Sequence, residues 1–316
     1  MTSLASSAQP QNRRSGAKAR TLAIPPAKQA EFRALTQTPR IALPTLVLAA
    51  VCLPTSLFCM VAGFTGAMNI YLACALLAFN FYWFFSVIHD AIHRSVSQHK
   101  WLNETIGQVA STLFNPIASL ELFRWGHLQH HRHTNDEQDI DYWCHGPAWS
   151  LPLRWMLIDA QYLVHALFSK EPSSKKALMK ALPFMLSGVV LVVWLIANGH
   201  GFEYLMLSLI PSRIAFIFIG FSFFWLPHAH WPNPQQDLRQ SQNLTLATTV
   251  RPGYEWLLDP LLQFQNYHLV HHVWPGTPFY NNTKVWKLLE PEFRRRDLAI
   301  TPGFTLLPEL QKVTQS

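Results

Sequence analysis

The chain has 316 residues, 49% of them hydrophobic and 13% aromatic, and only 14% are charged, where a soluble domain carries about 25% charged. That excludes a disordered, collagenous or coiled-coil chain and an ordinary cytosolic enzyme. The net charge of +7 is no nucleic-acid signal, because residues 1–40 alone hold seven Lys/Arg against one acid and the rest of the chain is nearly balanced.

Residues 1–40 read as a basic, disordered cytoplasmic tail, rich in Ser, Ala, Gln and Pro and attracted to anionic lipid. No apolar run follows its first basic residues, so no cleavable signal peptide is expected. Four apolar stretches then reach bilayer length: 41–63, 67–88, 181–197 and 202–226. The first three carry no charge, and the fourth carries only Glu203 and Arg213. The connections between members of each pair are too short for anything but turns, so the spans form two hairpins. Residues 105–125 and 149–168 are apolar but interrupted by Pro and charged residues, and are expected to be helices lying in the interface or packed under the cytoplasmic domain. Of the 25 Lys/Arg, 24 fall in the tail, in residues 89–180 and after residue 226, and none in the two hairpin turns. Both termini and the large loop should therefore face the cytoplasm. The expected fold is an all-α integral membrane protein with four transmembrane helices and a cytoplasmic helical cap. The membrane domain would cover residues 41–290, with a cytoplasmic tail over 291–316.

There are 15 His, far more than a core requires. Residues 89–93 read H-D-A-I-H, 127–131 read H-L-Q-H-H and 268–272 read H-L-V-H-H. A helix places positions i, i+3 and i+4 on one side, so each cluster can aim two or three imidazoles at one locus. His89 and His93 follow the second span and His228 and His230 follow the fourth, so all the clusters fall on one side of the membrane. Eight or nine imidazoles exceed one zinc site and suit two metals with open positions. Imidazole does not distinguish Zn, Cu, Fe and Ni. The four cysteines, Cys52, Cys59, Cys74 and Cys144, form no C-x-x-C, so no iron–sulfur or rubredoxin-type site is expected.

These three boxes on paired spans resemble the membrane fatty acid desaturase superfamily, which also includes hydroxylases and carotenoid ketolases. The resemblance covers residues 41–290. It implies a non-haem di-iron centre that uses O₂ as co-substrate to take hydrogen from an unactivated C–H. By position it implies ligation by His89, His93, His127, His130, His131, His268, His271 and His272. A ninth ligand is expected after the last span; W-L-P-H-A-H offers His228 or His230, and His228 is preferred because Leu-Pro-His resembles the ketolase subset. Asp90, Glu121, Asp136, Asp139 and Asp141 are candidate supporting carboxylates, Asp90 foremost because it lies within the first box. His133 and His145 would be supporting or surface residues, and His99, His165 and His200 have no partner spacing. Arg213 is a mid-membrane charge that either pairs with Glu203 or serves a channel or helix break.

The expected activity is fatty acyl desaturation of a long alkyl chain. Carotenoid or alkyl hydroxylation or ketolation, or oxidative decarboxylation of a fatty acid to a terminal alkene, are the alternatives. A histidine-lined metal transporter is the reading from another class; it would need ionisable residues along a mid-membrane path. The chain has no dinucleotide-binding glycine fingerprint, so a separate ferredoxin, rubredoxin or small cytochrome with its reductase must deliver electrons. The substrate would come from the bilayer, and no nucleic acid is involved.

Overall fold

A computed structural model describes residues 22–228 and 238–313. His230 lies outside the described residues, as do residues 1–21 of the basic tail. The protein is mostly helical. Its first helix, α1 (Gln29–Thr36), falls within the tail that was expected to be disordered. It packs Phe32 edge-on against Trp274 at 4.8 Å, and Asn281 Nδ2 donates to Leu35 O at 2.9 Å. Two apolar side chains one turn apart are enough to dock a short helix whose other face is polar.

Among the described residues four helices are long and apolar enough to cross a membrane: α2 (Leu43–Phe64), α3 (Ile70–His93), α8 (Pro172–Ala197) and α9 (Gly201–His228). Two boundaries differ from the apolar runs. Helix α3 continues past residue 88 and carries both histidines of the first box on its last turns. Helix α8 starts at Pro172, because Ser and Lys in its first turns are compatible with helix although not with lipid.

Helix α2 turns a stripe of small residues towards α3: Thr45, Ala49, Cys52, Ser56, Cys59 and Gly63 are buried. Its large side chains, including Leu43, Val47, Val51 and Phe58, are exposed. Small residues let two backbones approach where apolar burial gives no net drive in lipid. Asn80 on α3 closes the pair, donating to Cys52 O at 2.8 Å and Ser56 Oγ at 2.7 Å. The buried cysteines are packing residues, as their apolar surroundings suggest.

Between the two pairs lie α4 (Lys100–Phe114), α5 (Leu120–His133), α6 (Leu151–Met156) and α7 (Ile158–Phe168). Residues 105–125 are therefore two helices, broken around Pro116. Helix α8 crosses this break at Gly188, where a Cβ would stand 2.0 Å from Pro116 O, so no larger residue fits. After α9 come α10 (Glu255–Leu261), α11 (His268–Val273) and α12 (Asn282–Phe293). The expectation of an all-α chain needs one correction. Strands β1 (Thr249–Val250), β2 (Leu298–Ile300) and β3 (Glu309–Gln311) form a small sheet, with β1 parallel and β3 antiparallel to β2. Strands of two or three residues are too short to show alternation in a sequence.

The Asn80 contact yields a measurable expectation. Asn80→Ala and Ser56→Ala should lower the unfolding midpoint of the purified protein, and a double-mutant cycle should give a coupling of about 0.6–2 kcal/mol. Strict additivity would show that the contact contributes nothing.

Candidate metal centre

The helices bring nine histidines into one buried region. Donor nitrogens of His89 and His93 from α3, His127 from α5 and His271 from α11 lie within 4.8 Å of one another. His131 joins this first group, its Nε2 standing 3.1 Å from His127 Nε2 and 3.0 Å from His271 Nε2. A second group takes His130 from α5, His228 from α9, and His268 and His272 from α11, again within 4.8 Å. Here His268 Nε2 is 3.0 Å from His228 Nε2 and 3.1 Å from His272 Nε2, and His130 Nε2 is 3.3 Å from His272 Nε2. The two groups adjoin, with the His131 and His272 rings 4.3 Å apart between centroids.

Local structure explains how each ring reaches this region. Arg94 adopts left-handed φ at the end of α3, so the chain turns away directly after His93. Gly126 lets α5 press against Tyr162: a Cβ there would meet the phenol ring at 2.3 Å, one residue before His127. In α9 two π-type turns, Leu205–Leu209 and Gly220–Trp225, each alter the helical phase. At its end a tight turn over Leu226–His228 carries the chain through Pro227 and buries His228.

The donor set fits metal ions. An ion bound at about 2.1 Å by imidazole places neighbouring nitrogens about 3.0 Å apart at right angles and about 3.4 Å apart at tetrahedral angles. Both nitrogens of His89 and Nε2 of His93 are buried with no hydrogen-bond partner among the described residues. Such orphaned groups are costly unless something accepts their lone pairs. His127, His131, His268, His271 and His272 are pushed well below the ordinary histidine value, first by burial and then by neighbouring imidazoles. They are neutral rings with lone pairs to offer.

The second group is held from behind. His130 Nδ1 donates to Asp139 Oδ1 at 2.9 Å, with Asp141 Oδ2 at 3.5 Å. His272 Nδ1 donates to Gln240 Oε1 at 3.0 Å, and His268 Nδ1 donates to Gln265 Oε1. In all three rings this fixes the tautomer and leaves Nε2 facing the group. Burial works against a charged His130, but the carboxylates of Asp139 and Asp141 outweigh it and raise the ring to about 9. An ion at Nε2 would take the place of the proton there.

Of the supporting carboxylates, Asp139 and Asp141 stand beside the histidines and the other three do not. Asp90 accepts from Thr45 Oγ1 at 2.7 Å and from Phe279 N at 3.3 Å, tying α2, α3 and the Phe279 turn together. Glu121 pairs with Arg124 and Lys180, each at 2.7 Å. Asp136 accepts from Glu137 N. His133 and His145 belong to neither group, nor do His99, His165 and His200. Arg213 pairs with Asp159, not with Glu203. Gln240 and Gln265 went unnoticed in the sequence. Gln265 had a local signal, three residues before His268 on the same short turn, whereas Gln240 is 32 residues from its histidine.

Residues 66–304 match the fatty acid desaturase family. The chain is similar to a beta-carotene ketolase of Paracoccus sp. (strain PC1), 26% identical over 197 residues that make up 62% of this chain and 70% of the ketolase. It is also similar to an sn-1 oleoyl-lipid 12-desaturase of Arthrospira platensis, 25% identical over 226 residues, 63% of this chain and 62% of the desaturase. A second such 12-desaturase, of Synechocystis sp. (strain ATCC 27184 / PCC 6803 / Kazusa), is 24% identical over 225 residues, 62% of this chain and 61% of that protein. With three-quarters of its length covered by the family match and two histidine groups built from the three boxes and His228, the chain is an integral membrane oxidoreductase of the fatty acid desaturase family.

Proposed function

We propose that the protein is an O₂-dependent di-iron membrane oxidase, and that its reaction is desaturation of a long acyl or similar alkyl chain. The observation that carries this reading is the pair of adjoining imidazole groups, each with enough donors for one ion. His89, His93, His127, His131 and His271 would hold one iron, and His130, His228, His268 and His272 the other. When bound, such a pair supplies the O₂ activation and oxidising power needed to take hydrogen from an unactivated C–H, which zinc cannot supply.

The chain's own residues supply orientation and exclusion of water. Asp139, Gln240 and Gln265 hold three rings from behind. Phe85 and Phe223 meet edge-on at 5.0 Å and both pack against His89, which keeps water from that side. All-imidazole donation leaves the ionic charge uncompensated, so Asp139 and Asp141 are the nearest source of negative charge. Electrons would come from a separate ferredoxin, rubredoxin or small cytochrome. The distribution of Lys/Arg supports cytoplasmic termini and a cytoplasmic centre.

A second reading, carotenoid ketolation or hydroxylation, is favoured by the similarity to the Paracoccus ketolase and by Leu226-Pro227-His228. Expression in cells supplied with either fatty acids or carotenoids separates the two by product mass. Acyl chains short of two hydrogens mark desaturation. Carotenoids in which oxygen replaces two hydrogens mark ketolation.

Elemental analysis of the iron-supplied protein should find two irons per chain; a single stoichiometric zinc with activity intact would overturn the di-iron assignment. His228→Ala should lose iron and nearly all activity, whereas His230→Ala should keep most of both, and the reverse result moves the ninth ligand to His230. Asp139→Asn, which keeps shape but removes the charge behind His130, should weaken metal retention about 10–100-fold in a chelator competition. A reporter fused to the C-terminus and a label in the loop between α3 and α8 should both be cytoplasmic, and either found outside would break the orientation.

A further inference from the structure

Away from the histidines, a cavity of about 230 Å³ opens among the break between α4 and α5, α7, α8 and α9. Its walls are mostly apolar, with Leu163 and Met185 at the rim, but they include Asn115, Asp159, Tyr204 and Arg213. None of the nine histidines lines it. Arg213 sits midway along α9, so this polar group lies at membrane depth, where an ionisable residue serves a site or a partner.

The hydrogen bonds around Asp159 leave an imbalance. Its Oδ1 accepts from Arg213 Nη1 at 2.7 Å and from Ala160 N at 2.8 Å. Its Oδ2 accepts from Arg213 Nη2 and from Asn115 Nδ2 at 3.2 Å. Asn115 Oδ1 already accepts from Ile117 N, and Arg213 Nη1 also donates to Met156 O. Both Asp159 oxygens are thus taken twice, while Arg213 Nη2 and Asn115 Nδ2 each keep a second hydrogen that no described residue accepts. The Tyr204 hydroxyl, which lines the same cavity as Arg213 and Asp159 and can donate or accept, is hydrogen-bonded by no described residue.

We propose that this cavity binds a long-chain neutral lipid by its carbonyl oxygen, a ketone or an ester, with the alkyl body along the apolar walls. The chemistry selects against the alternatives. The Arg213–Asp159 pair is already neutral, so a carboxylate would bring an uncompensated charge to membrane depth beside Asp159. A plain hydrocarbon would leave the remaining donors unmatched. A carbonyl oxygen carries two lone pairs and no donor, which matches a wall with donors to spare. The site is separate from the histidine centre and does not depend on what that centre does.

The test uses the full chain in nanodiscs with four radiolabelled probes: 2-heptadecanone, methyl palmitate, palmitate and heptadecane. Metal content is measured alongside, so that a failed metal assignment is seen separately from failed binding. At least one carbonyl probe should bind about fivefold or more tighter than both palmitate and heptadecane. The ester alone doing so names an acyl lipid as the occupant, and the ketone alone names an oxidised chain. Arg213 variants risk misfolding, so two milder changes are used. Tyr204→Phe should remove most of the carbonyl preference without loss of fold. Ala160→Trp, from an exposed rim position, should fill the mouth and abolish carbonyl binding. Heptadecane or palmitate binding as tightly as the carbonyl probes, or carbonyl binding unchanged in Ala160→Trp, would overturn the proposal.

Discussion

Nine imidazoles packed into one buried region form the constraint on which the rest of the molecule depends. Buried rings with nitrogens 3.0–3.3 Å apart cannot all be protonated and cannot all donate to one another. Burial and mutual repulsion keep most of them neutral, leaving lone pairs that face inward. That arrangement is unfavourable unless an ion takes the lone pairs, and unless something fixes which nitrogen carries the remaining hydrogen. Asp139, Gln240 and Gln265 do the second task for His130, His272 and His268. Binding of metal to the folded chain would then add to its stability, because the unfolded chain presents no such site.

The membrane helices hold four separate elements to this geometry. Helix α3 delivers His89 and His93 by continuing beyond its apolar stretch, anchored to α2 through Asn80 and Asp90. Asp90 therefore matters for where the first box sits, through Thr45 and Phe279, rather than for the electronics of the rings. Helix α9 must bring His228 to the second group while pairing Arg213 with Asp159 lower down. A uniform α-helix rotates about 100° per residue and fixes those two directions together. Each π-type turn changes that relation.

The spans and boxes were legible because their signals are local. A long apolar run needs no knowledge of neighbours, and histidines three and four residues apart share a helix side wherever the helix goes. What escaped depends on contacts between distant residues. Glu203 is near Arg213 in sequence, but Asp159, 54 residues away, is its partner because α6 packs on α9 and Asp159 follows directly in the first turn of α7. Gln240 reaches His272 from a segment without regular structure. Asp139 and Asp141 stood among five acids in the sequence, and only the tight turn over Ile140–Cys144 separates them from Asp136. His228 was preferred over His230 because Leu-Pro-His resembles the ketolase subset; the tight turn over Leu226–His228 that buries it beside His268 depends on packing a sequence does not display.

The doubled histidine in two of the boxes explains why the centre has two groups. On a helix, positions i and i+4 point about 40° apart, whereas adjacent positions diverge by about 100°. His127 and His131 can therefore share a target that His130 cannot, and His268 and His272 can share one that His271 cannot. Helix α5 gives its matched pair to the first group and His130 to the second. Helix α11 does the reverse, giving His268 and His272 to the second group and His271 to the first. His89 and His93, another i, i+4 pair, complete one side, and His228 completes the other. Each of the two helices thus serves both groups, and neither can shift along the other without opening both. A spacing that looks like crowding on one helix is what couples the two groups into one rigid centre.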